Sequence, residues 1–326
     1  MENGIKINEQ WLTDKLQEAY SKRENLLQTN TNAYRLCFGE NDGLPALICD
    51  VYAQVAVLKI YSRIWLPLLD EIKAAIVSVT DCEALVLRFS RLVHRENTFS
   101  DLTDGQVIYG SLDSEEIQFV EHGVRFNANV IKGHKTGFFL DHRHNRLRIQ
   151  QLAKGKSVLD VFSYAGGFAI HALVGGARKA TALDISKQAL AVAENNAKLN
   201  EVHLDSIAGD AFTELKKLSK SGYKYDIVII DPPAFAKAAK EIPIALNQYK
   251  RLAGLGMELV AHDGLLVLAS CSSRVIAKDF FDSIESALSS SDRSYALVER
   301  SFHDTDHPIG FSEGAYLKTA YYKIST

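Results

Sequence analysis

The sequence predicts an α/β protein, with a doubly wound, mostly parallel seven-stranded sheet and a smaller α+β domain before it. Two patterns predict this fold class. In the C-terminal two thirds, short apolar strand runs alternate with helical runs, as in parallel sheets whose strands are connected by helices. In the N-terminal third, strand runs are separated mainly by turns. The chain has 326 residues, 47% of them hydrophobic, which is enough for two cores.

The N-terminal third is predicted to hold two parts. Apolar residues in helical spacing between positions 8 and 27 predict a helical segment over residues 1–30. A small α+β domain follows over residues 31–128 and is a candidate RNA-binding domain. Its strand runs predict two hairpins, at 46–61 and 117–127.

The third predicted part, residues 129–326, carries the large sheet. Its first five strand runs are each followed by a helical run, whereas no helical run separates the last two. These last two strands should therefore close the sheet as an antiparallel hairpin. The seven predicted strands are 157–162, 179–183, 206–208, 225–230, 264–269, 296–300 and 317–324.

Composition and charge exclude several classes of protein. The formal net charge is -3 and 24% of the residues are charged, as in ordinary globular proteins rather than polybasic tails or disordered chains. The sequence has neither a leader pattern nor an apolar run long enough for a membrane span, so we expect a cytoplasmic protein without membrane contact. The four cysteines lack zinc-site spacing, and no metal site is predicted.

The loop after the first strand of the large sheet is a candidate cofactor site, because ligands bind such sheets at the carboxyl ends of the strands. Gly166 and Gly167 open the following helix and would let a cofactor approach the backbone. Phe162 and Tyr164 stand where the dinucleotide fingerprint G-x-G-x-x-G needs glycine, so a pyrophosphate would lack its cradle. The loop therefore disfavours NAD and suits an adenosyl cofactor without phosphates, namely S-adenosylmethionine.

Two aspartates end the next two strands. Asp184 could accept hydrogen bonds from the ribose hydroxyls, and Asp210 could hold the adenine amino group while Phe212 packs on the ring. Each aspartate alone could equally cap a helix, because each precedes a helical run. Their ordered placement at consecutive strand ends, after the glycine loop, favours binding of S-adenosylmethionine.

The fourth strand ends in Asp231-Pro232-Pro233. The two prolines fix the turn after a buried strand, and Asp231 would project beside the reactive centre. Phe235 could stack on a flat base. As a turn in an arbitrary protein this motif means little, but at this strand of this fold it indicates a substrate site.

The fifth strand ends beside that loop, at Cys271. A helix expected from about Val275, capped by Ser272 or Ser273, would lower the pKa of the thiol and favour the thiolate. We therefore interpret Cys271 as a nucleophile rather than a buried apolar side chain. The buried, inert role is assigned to the other cysteines, Cys37, Cys49 and Cys82.

Eight motifs occur along the chain in a fixed order and span nearly everything after about residue 33. They are FGENDGLP (38–45), GHKTGFFLDHRHNR (133–146), FSYAGGF (162–168), DPPAF (231–235), YK (249–250), SCS (270–272), DHP (306–308) and EGAYLK (313–318). Together they resemble the motifs of bacterial large-subunit ribosomal RNA cytosine-C5 methyltransferases and their close relatives, which are Rossmann-like enzymes dependent on S-adenosylmethionine.

The resemblance implies methylation at C5 of a cytosine. This carbon is not nucleophilic by itself, but a thiolate that adds to C6 makes C5 enamine-like, so that it can attack a methyl group. The resemblance implies that Cys271 is this nucleophile and that Asp231 hydrogen-bonds the base and stabilises the adduct. The implied substrate contacts are Pro232, Pro233 and Phe235.

The predicted cofactor-binding residues lie in two places. One is the segment 135–143, which we expect to lie over the cofactor, and the other is the set of ends of the first three strands of the large sheet. They are Thr136, Phe138, Asp141, Arg143, Asp160, Phe162, Ser163, Tyr164, Gly166, Gly167, Asp184, Ile185, Asp210 and Ala211.

The chain departs from the family in two respects. Ala234 stands where many RNA cytosine-C5 enzymes have a second cysteine, so the group that removes the C5 proton stays open. Only about thirty residues precede the middle domain, which is too few for the PUA domain of the family's best-known members. We therefore expect RNA, and ribosomal RNA in particular, to be recognised by other surfaces.

Two basic clusters are candidates for an RNA surface, the alternative being a solvated face with ion pairs. The first comprises Arg88, Arg91, His94 and Arg95, interleaved with Phe89 and Phe99. The second comprises Lys132, His134, Lys135, Arg143, Arg146 and Arg148.

Two other functions stay open. The Asp-Pro-Pro motif with a nearby aromatic residue also suits methylation of an amino or ring nitrogen of guanine or adenine in RNA, in which case Cys271 would be a spectator. A cofactor-binding RNA module without turnover is the second alternative, which the intact Asp231 and Cys271 disfavour. The oligomeric state is undecided, a homodimer being one option.

Overall fold

A computed structural model describes residues 6–96, 101–133 and 135–325, so Phe99 and His134 of the predicted basic clusters lie outside the described residues. The chain divides into two compact units. The first unit comprises residues 1–141 together with 304–310, and the second comprises residues 142–303 together with 311–326. Over the described ranges, no helix is long and apolar enough to span a membrane.

The first unit contains a mixed sheet and a separate hairpin. Its helices are α1 (Glu9–Ser21), α2 (Glu24–Leu27), α3 (Leu69–Thr80) and α4 (Arg91–Glu96). Its strands are β1 (Ala33–Phe38), β2 (Leu47–Tyr52), β3 (Val55–Ile60), β4 (Ala84–Phe89), β5 (Gln106–Gly110), β6 (Glu116–Glu121) and β7 (Val124–Asn129). Among the described residues, β1 to β5 form one sheet in chain order, and β6 pairs with β7. Both predicted hairpins are present, as β2–β3 and β6–β7.

The N-terminal helical segment belongs to the first unit and shares its core. Asn8 caps α1 by accepting a hydrogen bond from the backbone N–H of Trp11 at 3.0 Å, and Leu12 and Leu16 are buried against the sheet. The predicted helical segment is interrupted, because α1 ends at Ser21 and α2 begins at Glu24. Arg23 turns inward there and is fully buried, with its guanidinium 2.5 Å from a carboxylate oxygen of Asp42.

The second unit carries the large sheet. Its helices are α5 (Arg143–Leu152), α6 (Gly167–Val174), α7 (Lys187–Leu199), α8 (Ala211–Lys220), α9 (Ile242–Leu259) and α10 (Ala277–Leu288). Its strands are β8 (Ser157–Val161), β9 (Lys179–Asp184), β10 (Asp205–Ala208), β11 (Tyr225–Ile230), β12 (Val260–Ser270), β13 (Tyr295–Ser301) and β14 (Lys318–Ile324).

The topology of this sheet confirms the predicted fold class. Over the described ranges the strand order is β10-β9-β8-β11-β12-β14-β13. The first five of these strands in chain order are parallel, and β14 is antiparallel to both β12 and β13. The order reverses next to β8, so the ends of β8 and β11 form the switch point at which such sheets bind ligands. The fold is that of a Rossmann-like methyltransferase.

Two features of the connections were not predicted. Helix α5 was missed because its sequence has no clear apolar stripe. Four of its ten residues are buried, and three of these four are the polar Arg143, Asn145 and Arg146. The predicted boundary at 128/129 precedes the division of the units, which falls after Asp141, and the segment 304–310 returns to the first unit. This return is held by Asp306, whose carboxylate accepts a hydrogen bond from the backbone N–H of Arg35 at 2.9 Å.

Candidate active site

The end of β8 and the loop after it contain buried oxygen atoms that have no hydrogen-bond partner among the described residues. One oxygen of Asp160, Oδ2, accepts a hydrogen bond from the backbone N–H of Ala169 at 3.0 Å. Neither Asp160 Oδ1 nor Ser163 Oγ has a hydrogen-bond partner among the residues that the structure describes. The pKa of Asp160 is raised to about 7, mainly by burial and to a lesser degree by the charges of Asp231 and Asp184, against the lowering effect of the Ala169 hydrogen bond. Buried oxygens of this kind are suited to contact polar groups of a ligand.

The same loop has an uncommon backbone. Phe162 and Tyr164 have φ angles of 63° and 49°, a left-handed conformation that costs energy for residues with bulky side chains. The backbone N–H of Tyr164 is held by Asp184 Oδ2 at 2.9 Å. Gly166 has a φ of 77°, and a Cβ there would lie 2.9 Å from the Cβ of Ala193 on α7. The packing of α6 on α7 therefore requires this glycine, whatever the loop binds.

The aspartates at the next two strand ends are engaged locally. Asp184 Oδ1 also accepts a hydrogen bond from the backbone N–H of Ser186 at 2.8 Å. Asp210 caps α8 by accepting from the backbone N–H of Thr213 at 3.0 Å, so the cap interpretation left open by the sequence holds for Asp210. Each carboxylate oxygen has two lone pairs, so these bonds leave acceptor capacity for hydroxyl or amino groups.

An apolar platform accompanies these carboxylates. Ile185 follows Asp184 directly and is 74% exposed, while Ala211 follows Asp210 and is buried. An exposed isoleucine beside the carboxylates of Asp184 and Asp210 is suited to packing on the face of an adenine ring. Together with the unsatisfied oxygens of Asp160 and Ser163, this surface fits an adenosyl cofactor.

The Asp-Pro-Pro loop follows β11. Asp231 Oδ2 lies 3.3 Å from Nε2 of His142, and its Oδ1 is a buried atom with no hydrogen-bond partner in the described part of the chain. Pro232 is buried and Pro233 is exposed. Phe235 packs on Tyr249 at a centroid distance of 5.1 Å, so part of its ring is in contact with the core.

Cys271 lies next to this loop, as predicted. It follows β12, and its sulfur lies 3.9 Å from the carbonyl oxygen of Pro232. The side chain is partly exposed, whereas the other three cysteines are buried. The thiol and the Asp231 carboxylate are therefore brought to the same place by adjacent parallel strands.

The predicted helix start near Val275 is wrong. Helix α10 begins at Ala277, and its N-cap residue, Ile276, makes no side-chain capping bond. Ser272 accepts instead from the backbone N–H of Val275 at 3.4 Å, in a turn before the helix. Cys271 is thus too far from the first turn of the helix for the helix dipole to stabilise a thiolate strongly.

Lys318 supplies positive charge where the helix does not. Its fully buried ammonium donates hydrogen bonds to the carbonyl oxygens of Ser272 at 2.5 Å, Val275 at 2.5 Å and Tyr316 at 3.1 Å. Burial lowers the pKa of Lys318 to about 8, against the opposing effect of the Cys271 charge. Sequence reasoning missed this residue, although it ends the EGAYLK motif.

The segment 135–143 is held by contacts within each unit. In the first unit, Thr136 is buried and donates a hydrogen bond to Asp50 at 2.5 Å, and Phe138 packs on Phe119 at 5.1 Å. Asp141 pairs with Lys135 at 3.0 Å. These contacts give the segment structural roles, and its predicted place over the cofactor stays a prediction.

The predicted RNA surface is wrong in part. Arg88 is buried and bound to Asp104 at 3.1 Å, so it stabilises the first unit instead of facing solvent. Arg143 and Arg146 are also buried, on α5. Lys132 and Arg148 are paired with Glu115 and Glu299, respectively. Lys135 is exposed and pairs with Asp141 at 3.0 Å. Arg91, His94 and Arg95 on α4 are exposed and stay candidates for contact with RNA.

A groove that was not predicted lies in the second unit, against α8 and α9. Its volume is about 760 Å³. Cations outnumber anions on its walls, and two aromatic rings contribute to it. Its charged and aromatic lining residues are Asp210, Lys216, Lys217, Lys220, Arg251, Phe212 and Phe235. The guanidinium of Arg251 lies over the ring of Phe212 at 4.6 Å.

Known structures share this architecture. A S-adenosylmethionine-dependent methyltransferase from Streptococcus mutans superposes with a TM-score of 0.85 at 24% identity, covering 98% of this chain and 83% of that one. A methyltransferase structure complexed with S-adenosylhomocysteine superposes with a TM-score of 0.86, also at 24% identity and with the same coverage of both chains. At this identity the likeness shows the fold.

Sequence comparisons identify the family. The Deinococcus radiodurans protein named ribosomal RNA large subunit methyltransferase is 39% identical over 327 residues, covering 98% of this chain and 80% of that protein. The Escherichia coli ribosomal RNA large subunit methyltransferase I is 32% identical over 317 residues, covering 94% and 79%. A family model described as S-adenosylmethionine-dependent methyltransferase matches residues 69–320. The chain therefore belongs to the S-adenosylmethionine-dependent methyltransferase family.

Proposed function

We propose that this protein methylates C5 of a cytosine in large-subunit ribosomal RNA through a covalent adduct of Cys271. The observation that carries the proposal is the position of the Cys271 sulfur, 3.9 Å from the carbonyl oxygen of Pro232 and thus beside Asp231. Methylation of a purine nitrogen needs no thiol at this place. The names of the relatives, which are methyltransferases of large-subunit ribosomal RNA, support the substrate class.

The residues of the β8, β9 and β10 strand ends would hold the cofactor. S-adenosylmethionine supplies an electrophilic methyl group when bound. Asp184 accepts from the ribose, Asp210 from the adenine amino group, and Ile185 covers the ring. Asp160 Oδ1 and Ser163 Oγ have no hydrogen-bond partner among the described residues, and we expect them to contact polar groups of the cofactor. The role of Thr136, Phe138, Asp141 and Arg143 toward the cofactor is part of the same proposal.

The thiolate of Cys271 starts the reaction by adding to C6 of the cytosine. An S–C6 bond forms, and the electrons of the C5–C6 double bond move so that C5 becomes nucleophilic. Asp231 hydrogen-bonds the base and so stabilises the adduct. After C5 has taken the methyl group, a base removes its proton, the double bond re-forms and the thiolate leaves. We expect the charge of Lys318 to favour the thiolate both before it adds to C6 and after it leaves C6.

The groove against α8 and α9 gives the RNA a basic approach to the site. Its cations suit phosphates, and its partly exposed aromatic rings suit an unstacked base. A cytosine must be unstacked to reach Cys271. Lys216, Lys220 and Arg251 are the side chains that we expect to contact the RNA backbone.

The product tests the proposal. Ribosomal RNA from cells that lack the gene is incubated with the protein and isotopically labelled S-adenosylmethionine, digested to nucleosides and analysed by mass spectrometry. The label is expected in 5-methylcytidine. Label in a methylated guanosine or adenosine would overturn the proposal in favour of nitrogen methylation, and binding of cofactor and RNA without any labelled product would favour a non-catalytic module.

A further inference from the structure

One buried tyrosine contacts both the Ser-Cys-Ser turn and the Asp-Pro-Pro loop. Tyr249 lies on α9 and is 2% exposed. Its hydroxyl is hydrogen-bonded to the hydroxyl of Ser270, directly before Cys271, at 3.0 Å. Its ring packs on the ring of Phe235, in the loop that begins at Asp231, at a centroid distance of 5.1 Å. A single side chain therefore contacts the segment that carries the thiol and the segment that carries the carboxylate.

The position of the Tyr249 hydroxyl is fixed by packing around the ring. Phe280 of α10 is fully buried and packs edge-on against the Tyr249 ring, at a centroid distance of 5.1 Å and an interplanar angle of 89°. Phe235 meets the same ring at an angle of 58°. Because side chains in a close-packed core rarely leave their rotamers, the hydroxyl cannot turn away from Ser270 without disturbing these rings.

The Ser-Cys-Ser turn is tied at two points. Oγ of Ser270 accepts a hydrogen bond from the backbone N–H of Ser272 at 3.3 Å, so the bond to Tyr249 continues into the turn. The carbonyl oxygen of Ser272 accepts from the Lys318 ammonium at 2.5 Å. Both serines are buried, whereas Cys271 between them is partly exposed. The two anchors therefore hold the backbone on either side of the thiol.

The Tyr249 hydroxyl is suited to hold this turn and not to transfer protons. The pKa of Tyr249 is raised to about 12, mainly by burial. At neutral pH the hydroxyl therefore stays protonated, and its partner is Ser270. Tyr249 is accordingly not the base that removes the C5 proton.

We propose that Tyr249 is a positioning residue for Cys271, which holds the Ser-Cys-Ser turn against the Asp-Pro-Pro loop. This inference rests on the proposed function, because it assumes that Cys271 attacks a base that Asp231 binds. The sulfur and the carboxylate must then meet the same ring, and a misplacement of about 1 Å can cost about a hundredfold in rate. The 3.9 Å distance from the Cys271 sulfur to the carbonyl oxygen of Pro232 is the separation that Tyr249 maintains.

The positioning role is tested by Tyr249→Phe, which removes the hydroxyl and keeps the ring. We expect kcat to fall about tenfold, with KM for RNA and the affinity for S-adenosylmethionine little changed. The rate of covalent trapping by RNA with 5-fluorocytosine at the target position should fall by the same factor, because the adduct forms at the step that the position of the sulfur controls.

Tyr322→Phe is the matched control. Tyr322 is a fully buried tyrosine of β14 in the same unit, and its hydroxyl donates to a carboxylate oxygen of Glu285 at 2.8 Å. A hydrogen bond to a charged group contributes more than one between neutral hydroxyls, so this variant should lose at least as much stability in urea as Tyr249→Phe. Its kcat should stay at the wild-type value. Equal losses of kcat in the two variants would mean that turnover follows stability, and would overturn the inference.

Ser270→Ala removes the same hydrogen bond from its other partner. We expect kcat to fall at least as far as in Tyr249→Phe, and the double variant should lose no more than Ser270→Ala alone, because both substitutions act through one bond. Losses that multiply would contradict the inference. If Tyr249→Phe does not fold, as judged by circular dichroism, Ser270→Ala decides, since a wild-type kcat there would show that the turn needs no such bond.

The ionisation of the thiol is measured without RNA. The rate at which iodoacetamide alkylates Cys271 is followed against pH by mass spectrometry of its peptide, the other three cysteines being buried. We expect the same midpoint in the wild type and in Tyr249→Phe, because the hydroxyl places the thiol without changing its charge. A higher midpoint in the variant would mean that Tyr249 stabilises the thiolate, and would overturn the positioning role.

Failure of the proposed function is distinguishable from failure of this inference. A wild-type protein that forms neither the trapped adduct nor 5-methylcytidine overturns the proposed function, and the inference with it. A wild-type protein that forms both, at the same rates as Tyr249→Phe, overturns the inference alone.

Discussion

The two halves of the candidate site, both at the carboxyl edge of the seven-stranded sheet, are built differently. On the cofactor side, Asp160, Asp184 and Asp210 each accept hydrogen bonds from backbone N–H groups close by, so the carboxylates also fold their own loops. On the base side, the neighbouring groups come from distant parts of the chain. Nε2 of His142 lies 3.3 Å from Asp231 Oδ2, and the ammonium of Lys318 donates a hydrogen bond to the carbonyl oxygen of Ser272, next to Cys271.

This difference indicates which residues contribute to the stability of the fold and which contribute mainly to the reaction. A carboxylate that caps a helix or ties a loop contributes to stability and binding together, so its removal should affect both. By contrast, a carboxylate with an unsatisfied oxygen, or a partly exposed thiol, at the substrate site contributes little to the stability of the fold. We therefore expect variants on the cofactor side to change the stability of the fold, and variants on the base side to lose turnover while remaining folded.

The largest stability effect is expected at Asp160. Its folded pKa of about 7 lies above the value of an unfolded aspartate, so the stability given by its neutral form is present below about pH 4 and is lost as the pH rises through about 7. Asp160→Asn stays neutral. The free energy of unfolding of this variant, measured in urea without cofactor, should exceed that of the wild type by up to about 4 kcal/mol at pH 8, and by much less at pH 5.

Asp70→Asn, at an exposed position of α3, is the matched control for this measurement. A wild-type protein that gains stability relative to Asp160→Asn between pH 5 and pH 8 would contradict the sign. It would mean that the Ala169 hydrogen bond outweighs burial at Asp160.

A combined effect is expected at Asp184. Asp184→Ala removes both hydrogen bonds to the backbone, from Tyr164 and Ser186, as well as the acceptor for the ribose. Calorimetry should show cofactor affinity weakened by about tenfold or more, since a charge-assisted bond contributes roughly 1.5–3 kcal/mol, and the unfolding temperature should also fall. Asp205→Ala, on β10, should leave affinity unchanged. Unchanged affinity in Asp184→Ala would remove this residue from the site.

The smallest effect is expected in the groove against α8 and α9. Replacing Lys216 and Lys220 by Glu should raise KM for RNA several-fold and reduce the slope of log affinity against log salt by about 1 to 2, because two phosphate contacts are lost. Cofactor affinity and the unfolding temperature should stay the same. Lys154→Glu, which precedes β8 at the opposite edge of the sheet, is the control, and equal losses in both proteins would exclude the groove as the RNA path.

The comparison also explains what the sequence could predict. The strands of the large sheet and the adjacency of Cys271 to Asp231 follow from the order of apolar runs and from the rule that parallel strands share one edge. The cap made by Asp210 was recognisable because it involves a residue three positions away, and the bond from Ser186 to Asp184 is equally local.

The support of the base side could not be predicted, because its contacts join distant positions. The hydroxyl of Tyr249 reaches Ser270 across 21 residues of chain, and Lys318 reaches Ser272 across 46. No local pattern signals such pairs. The predicted serine cap of the helix near Val275 was wrong: α10 begins at Ala277, and the carbonyl oxygen of Ser272 is bonded by the distant Lys318.

The central claim is that Cys271 is the nucleophile. RNA with 5-fluorocytosine at the target position tests it most directly, because the fluorine cannot leave C5 as a proton does and the adduct is trapped. Wild-type protein with S-adenosylmethionine should form a covalent RNA complex on a denaturing gel, and so should Cys82→Ala. Cys271→Ala should bind the cofactor, remain folded and form neither the complex nor methylated RNA. A Cys271→Ala protein that methylates RNA at nearly the wild-type rate would contradict the thiol mechanism.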